Sequence, residues 1–215
     1  MTSQNLILSH ISESFLNTLE GFGVVERGHF EVKGKAEDGT RLHTDFFVNY
    51  RLLTTAQEKI LTPLYIAAIE EFFKNRLQNL LIVGVAMGSL SLPKVIQLSL
   101  HGKYGIEYAY TEKREGILGI FGEQAKKCEG KHLLFLEDVC NNATSSKELI
   151  AEIYAKKEDL GITGYSILYG VHRGHAFLEE PKNEVYAMSM VYAPSYHQND
   201  CPACAKNIPL RQYKK

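Results

Sequence analysis

Between Leu80 and Val191 five short, almost continuously apolar runs recur, each separated from the next by a stretch of helical character. They are Leu80-Leu-Ile-Val-Gly-Val, Ile106-Glu-Tyr-Ala-Tyr, His132-Leu-Leu-Phe-Leu, Tyr165-Ser-Ile-Leu-Tyr-Gly-Val and Val185-Tyr-Ala-Met-Ser-Met-Val. A strand with one wet face alternates apolar and polar residues, whereas one covered on both faces is apolar throughout. Helices between successive strands make those strands parallel, joined by right-handed crossovers. The chain is therefore predicted to be α/β, with a five-stranded, mainly parallel sheet flanked by helices. Such sheets bind ligands beyond their carboxyl ends, so function is sought in the loops that follow the strands.

The rest of the chain frames this core. Thr55 to Lys74 is predicted as a long helix with Ile60, Leu64, Ala67, Ala68 and Phe72 on one stripe, and Leu6 to Leu19 as a shorter one through Ile7, Ile11, Phe15 and Leu19. Gly21 and Gly23 end the latter. His29-Phe-Glu-Val-Lys and Thr44-Asp-Phe-Phe-Val-Asn read as strands joined through Glu37-Asp-Gly-Thr. This divides the chain into an N-terminal hood lobe (residues 1–50), a core (51–192) and a C-terminal tail (193–215), all of one domain.

Charge and cysteine content exclude several classes. Lys and Arg total 24 against 25 Asp and Glu, so the basic excess of a nucleic-acid surface is absent. A nest of backbone N–H groups could still hold a small anion, because it does not register in net charge. The first residues lack the basic end and apolar core of a secretion signal, and no apolar run reaches membrane-spanning length. Four cysteines are too few for a disulfide framework in 215 residues, which points to a reducing, cytoplasmic setting.

The third core strand runs into two acids, Glu137 and Asp138. A loop of small residues follows (Asn141, Asn142, Ala143, Thr144, Ser145, Ser146), and a helix then opens. Free N–H groups at a helix start bind anions, and paired carboxylates accept hydrogen bonds from a diol. Phosphate plus diol describes a ribose phosphate. A plain strand end with solvated acids and a Ser/Thr helix cap would leave the same pattern.

This segment resembles the phosphoribosyl pyrophosphate (PRPP) signature of type I phosphoribosyltransferases. Glu137, Asp138, Val139 and Ser145 match it, while Asn141, Asn142, Ala143 and Thr144 depart from its Thr-Thr-Gly-Gly form. Gly84-Val-Ala-Met-Gly-Ser resembles the family's pyrophosphate loop, which implies a role for Ala86, Met87 and Gly88. Gly28-His-Phe and His43-Thr-Asp-Phe-Phe-Val resemble the N-terminal lobe of orotate phosphoribosyltransferases. Tyr169-Gly-Val-His-Arg-Gly resembles the segment whose arginine receives the orotate carboxylate, so Arg173 is the implied base-binding residue, with His172 where the family has an acid. Asp200-Cys-Pro-Ala-Cys-Ala-Lys-Asn-Ile-Pro-Leu resembles the tail of one bacterial and archaeal branch.

The resemblance implies transfer of phosphoribose from PRPP to orotate or a related base in pyrimidine nucleotide synthesis, with Mg2+, in a homodimer. Glu137, Asp138 and Lys113 become the catalytic candidates, and Lys113 also a phosphate contact. The departure lies in Thr111 to Gln124, which lacks the branch's paired arginines; Lys113 and Arg114 remain, and arginines grafted at Ile117 and Leu118 would supply the missing charge. The altered loops leave a second reading, a weakly active or inactive PRPP- or nucleotide-binding regulator of the same fold. His197, Cys201 and Cys204 offer three ligands with no evident fourth, so no metal is assigned to the protein itself, and the tail is expected to pack through Pro202, Ile208 and Leu210. His29 and His43 are read as structural hydrogen-bonding residues.

Overall fold

The computed structural model describes residues 7–35, 39–85, 91–141, 143–174 and 184–211. In chain order these form β1 (Ile7–Leu8), α1 (Ser12–Gly21), β2 (Val25–Lys35), β3 (Arg41–Val48), α2 (Thr55–Phe73), β4 (Leu80–Gly84), α3 (Ser91–Tyr104), β5 (Glu107–Tyr110), β6 (Glu112–Arg114), β7 (Ile117–Gly119), α4 (Glu123–Lys126), β8 (His132–Cys140), α5 (Thr144–Ala155), β9 (Gly164–His172), β10 (Glu184–Met190), β11 (Tyr196–His197) and α6 (Pro202–Ala205). The five apolar runs are β4, β5, β8, β9 and β10, and they pair in parallel as predicted. The two-residue β1 adds a sixth, edge position, giving the order β1-β10-β9-β8-β4-β5.

Two apolar layers enclose the sheet. On one face Phe15 and Leu19 of α1, Leu61, Ile69 and Phe73 of α2, and Ile96 and Leu100 of α3 pack on Leu80, Ile82, Leu134 and Leu168. On the other, Leu149, Ile150 and Ile153 of α5 and Leu118 of β7 pack on Leu81, Val83, Leu133 and Phe135. The alternation of Leu133 and Phe135 against Leu134 and Leu136 is the pleat of one strand feeding both layers.

β2 and β3 form an antiparallel pair, and β11 joins the free side of β3. Phe46 and Val48 of this small sheet belong to the same apolar layer as α1 and α2, so the lobe is continuous with the core.

Two helices differ from the sequence reading. Residues 7 and 8 extend along β10, and α1 starts only at Ser12, because a parallel sheet edge offers backbone partners that a single turn of helix does not. α2 spans nearly the predicted range, and its start is fixed by a reciprocal cap between Thr54 and Gln57. Its buried face runs through Glu58, Leu61, Thr62, Tyr65, Ala68, Ile69 and Phe73; of the predicted stripe Ala68 is buried and Leu64 and Phe72 pack against the core, while Ile60 is 55% exposed. Glu58 and Thr62 can face inward because Ser91 donates to Glu58, and Thr62 Oγ1 donates to the Glu58 carbonyl at 2.8 Å.

β4 lies between β5 and β8. The chain leaves β4 through α3 toward β5, and leaves β8 through α5 in the opposite direction toward β9. The carboxyl ends of β4 and β8 therefore flank the switch point where α/β sheets take their ligands.

The wall of that crevice is tight. A Cβ on Gly170 of β9 would fall on the Tyr50 hydroxyl, 2.6 Å from that of Tyr65 and 2.8 Å from the Asp138 carbonyl oxygen. Gly170→Ala should therefore lower stability by about 1–3 kcal/mol, the cost of overpacking a closed interior. Urea denaturation checks this; an unchanged midpoint would mean that the two tyrosines move aside freely.

Candidate functional site

At the end of β8 the backbone turns sharply into α5. Ala143 sits in the left-handed region at φ 54°, where alanine, with the smallest side chain after glycine, carries a modest strain. It is the N-cap of a twelve-residue helix, and among the described residues no side chain caps that end. The first helical N–H to find a carbonyl is that of Lys147, bonded to Ala143 at 2.8 Å. The N–H groups of Thr144, Ser145 and Ser146 thus face outward at the positive end of the helix dipole, a cradle suited to phosphate. Asn142, and likewise Ala86, Met87 and Gly88 of the loop after β4, lie outside the described residues.

Glu137 and Asp138, adjacent on a strand, diverge across the sheet. Glu137 points toward α5, where Ser146 Oγ donates to its Oε2 at 2.6 Å and Tyr169 Oη donates to Ser146 Oγ at 2.6 Å. Asp138 lies on the side of Tyr50 and Tyr65, close enough for its charge to raise both phenol pKa values, and its Oδ1 accepts from the Val139 N–H at 2.8 Å. The two acids therefore do not form one paired carboxylate face. Glu137 braces the start of α5 from behind, and Asp138 is the acid on the Tyr50–Tyr65 side.

Arg173 follows β9 and is 2% exposed. Its Nη1 donates to Asn141 Oδ1 at 2.8 Å, and its Nη2 donates to Thr44 Oγ1 of β3 and to the Ala193 carbonyl. Burial lowers its pKa to about 10, with the charge of Asp45 acting in the opposite direction, so it stays cationic at neutral pH. The predicted base-binding residue is thus joined directly to the predicted phosphate loop. His172, in the place of the family's acid, is buried, and its Nδ1 accepts from the Gly174 N–H at 3.0 Å.

Lys113 stands on the β6–β7 hairpin, exposed. The hairpin turns through Glu115 and Gly116, both at positive φ, the geometry that matches the twist of paired strands. Arg114 pairs with Glu112 at 3.0 Å and lies over the Phe121 ring, which fixes it on the surface of the hairpin. Leu118 is 5% exposed in the layer it shares with α5, whereas Ile117 is 50% exposed. Of the two positions considered for an arginine, only 117 can take one. Lys126 pairs with Glu123, and Lys127 Nζ donates to the Tyr108 carbonyl at 2.9 Å, a structural bond.

The tail is seated differently from the sequence reading. Pro202, Ile208 and Leu210 are exposed, and Cys201 and Ala203 are the buried residues. His197 stands apart from the cysteines, its Nδ1 3.2 Å from Thr40 Oγ1. His29 and His43, each distant in sequence, instead meet Cys201 and Cys204. The side-chain roles of Thr44, Ser146 and Tyr169 also escaped the sequence reading, since each acts through a long-range contact that no local spacing marks. The Ser-Ser pair opening α5 was the one available hint.

Surroundings of low polarity push the Glu137 carboxyl from 4.5 up to about 7, with the Asp138 charge adding and the Ser146 hydroxyl opposing. A raised folded-state pKa means that the folded protein holds a proton the unfolded chain has released. Stability should therefore be full below about pH 4.5 and decline as pH rises toward 7, by at most about 3 kcal/mol. Glu137→Gln should remove that decline while keeping an acceptor for Ser146. Denaturation of both proteins across pH 4.5–8 reads the difference, and parallel curves would contradict it.

No family model matches the sequence. The chain is similar to an orotate phosphoribosyltransferase of Thermoanaerobacter sp. (strain X514), 24% identical over 199 residues that cover 92% of this chain and 94% of that protein. The fold is shared with the crystal structure of orotate phosphoribosyltransferase from Aeropyrum pernix (TM-score 0.57, 18% identity, 81% of this chain and 92% of that one). It is shared equally with the Francisella tularensis orotate phosphoribosyltransferase (TM-score 0.56, 19% identity, 85% of this chain and 84% of that one). Matched over most of the length of these two structures, the chain has the type I phosphoribosyltransferase fold.

Proposed function

We propose that the protein transfers the phosphoribosyl group of PRPP to a carboxylated base, orotate or a close analogue, releasing pyrophosphate. The observation that carries this is the uncapped start of α5 directly beyond the acid-bearing end of β8, at the switch point of a sheet shared with orotate phosphoribosyltransferases. A 5-phosphate would take the N–H groups of Thr144, Ser145 and Ser146, and the ribose hydroxyls would donate to Asp138. The pyrophosphate would then extend toward the end of β4, with Lys113 the cation predicted to meet it.

The base would lie on the lobe side, where the Arg173 guanidinium could exchange its Asn141 bond for a carboxylate. Phosphoribosyl transfer needs no protein nucleophile. It needs the reactants held in line and charge stabilised as the glycosidic bond breaks. Mg2+ bound with PRPP supplies neutralisation of the leaving pyrophosphate, and Asp138 is the hard oxygen donor that fits such an ion. Glu137, held near neutrality and turned toward α5, is a positioning residue rather than a ligand. Because Arg173 also holds Asn141, its loss would loosen the phosphate loop as well as the base site. A homodimer, implied by the resemblance, would be tested by sedimentation.

Pyrophosphate release from PRPP with Mg2+ and a panel of bases tests the reading. Orotate should be used at least a hundredfold more efficiently than uracil, because uracil would leave the buried guanidinium without its charged partner. Asp138→Asn should lower kcat/KM by roughly ten- to a hundredfold, equivalent to about 1–3 kcal/mol, while Lys113→Ala should mainly lower kcat. Failure of every base to support release, with folded protein, would remove the proposal.

A further inference from the structure

The lobe contains a cluster that phosphoribosyl transfer does not use. His29 of β2, His43 of β3, Cys201 at the N-cap of α6 and Cys204 within it direct four potential ligand atoms at one point, all within 4.8 Å of one another. His29 Nε2 lies 2.9 Å from His43 Nδ1 and 3.5 Å from each sulfur, and His43 Nδ1 lies 3.2 Å from Cys204 Sγ. Zinc bonds of about 2.0–2.1 Å to nitrogen and about 2.3 Å to sulfur give tetrahedral edges of roughly 3.3–3.8 Å. These four spacings lie at or just inside those edges, and with all four atoms within 4.8 Å of one another a small inward shift of the side chains would close the tetrahedron.

A second observation is independent of the spacing. His29 Nδ1 is 2.7 Å from the Ile208 carbonyl oxygen, which can only accept, so the ring proton sits on Nδ1 and the Nε2 lone pair faces the cluster. A histidine anchored to a carbonyl through its far nitrogen is the usual support of a metal ligand. His29, His43 and Cys201 are buried, and both cysteines are free thiols.

We propose that His29, His43, Cys201 and Cys204 bind one structural Zn2+ that fastens the C-terminal tail to the β2–β3 pair. Two sulfur and two imidazole ligands in tetrahedral array select zinc. Four protein ligands leave no open position, so the site is structural rather than catalytic. On binding, two thiol protons pass to solvent and two Zn–S and two Zn–N bonds form, leaving a neutral complex suited to burial. His43 is followed in β3 by Thr44, which accepts from Arg173, so the metal would also steady the lobe side of the crevice.

The full-length protein, purified under reducing conditions, should contain one zinc per chain by elemental analysis. Apoprotein titrated with Co2+ should develop the visible bands of a tetrahedral S2N2 site together with sulfur-to-cobalt charge transfer. His29→Ala and the double variant Cys201→Ser/Cys204→Ser should lose Co2+ affinity by more than about a hundredfold. His197→Ala should keep it. Zinc chelation should lower the melting temperature of the wild type and leave that of the double cysteine variant unchanged. The proposal is overturned if wild-type apoprotein binds neither Zn2+ nor Co2+, if the spectrum lacks charge transfer, if the reduced preparation holds a Cys201–Cys204 disulfide instead, or if His197→Ala abolishes binding. None of these readouts involves PRPP, so a failed zinc site and a failed transferase reading are told apart.

Discussion

The guanidinium of Arg173 is the point at which the separate parts of the molecule meet. Burying a full charge is unfavourable unless its donors are satisfied, and satisfying these donors draws in Asn141 from the loop after β8, Thr44 from β3 and the carbonyl of Ala193 after β10. Three segments far apart in sequence are thereby held around one cation. The lobe strand pair cannot drift from the sheet, nor the loop from the lobe, without leaving part of that charge unpaired in a dry environment.

The loop itself balances two opposing demands. Its backbone must bend as glycine bends while it also starts a helix, and Ala143 meets both at a modest conformational cost. In the proposed site an acid directly behind the phosphate would repel it if fully charged. Burial raises the Glu137 pKa to about 7, which lessens its charge near neutrality, and Ser146 and Tyr169 hold it in line with the first turn of α5.

The sheet was legible in the sequence because burial on both faces writes a continuous apolar run, and nothing else in the chain imitates it. The strand-end location of the site followed from that. Less legible was any feature set by a polar residue satisfied inside. The buried face of α2 was read only in part, through Ala68, because Glu58 and Thr62 look like surface residues until Ser91 and a backbone carbonyl are seen to engage them. Adjacent acids at 137 and 138 read as a pair in one dimension and part across the pleat in three. The histidine–cysteine cluster was illegible for a related reason. Its members come from two strands and a tail more than 150 residues later, and the nearby His197 offered a plausible but mistaken partner.

The shortest element of the sheet has a consequence for how the chain behaves in a crowded solution. β10 presents Val185, Tyr186, Ala187 and Met188 as a buried, uncharged run, and among the described residues its outer rim is paired with Ile7 and Leu8, with the Ser9 N–H also donating to the Ala187 carbonyl. Were those two residues peeled away, a row of unsatisfied amides on an apolar strand would face solvent, the kind of template on which neighbouring molecules stack. The short edge strand ahead of the first helix thus acts as a guard against self-association, a service to the folded state that adds little to its core.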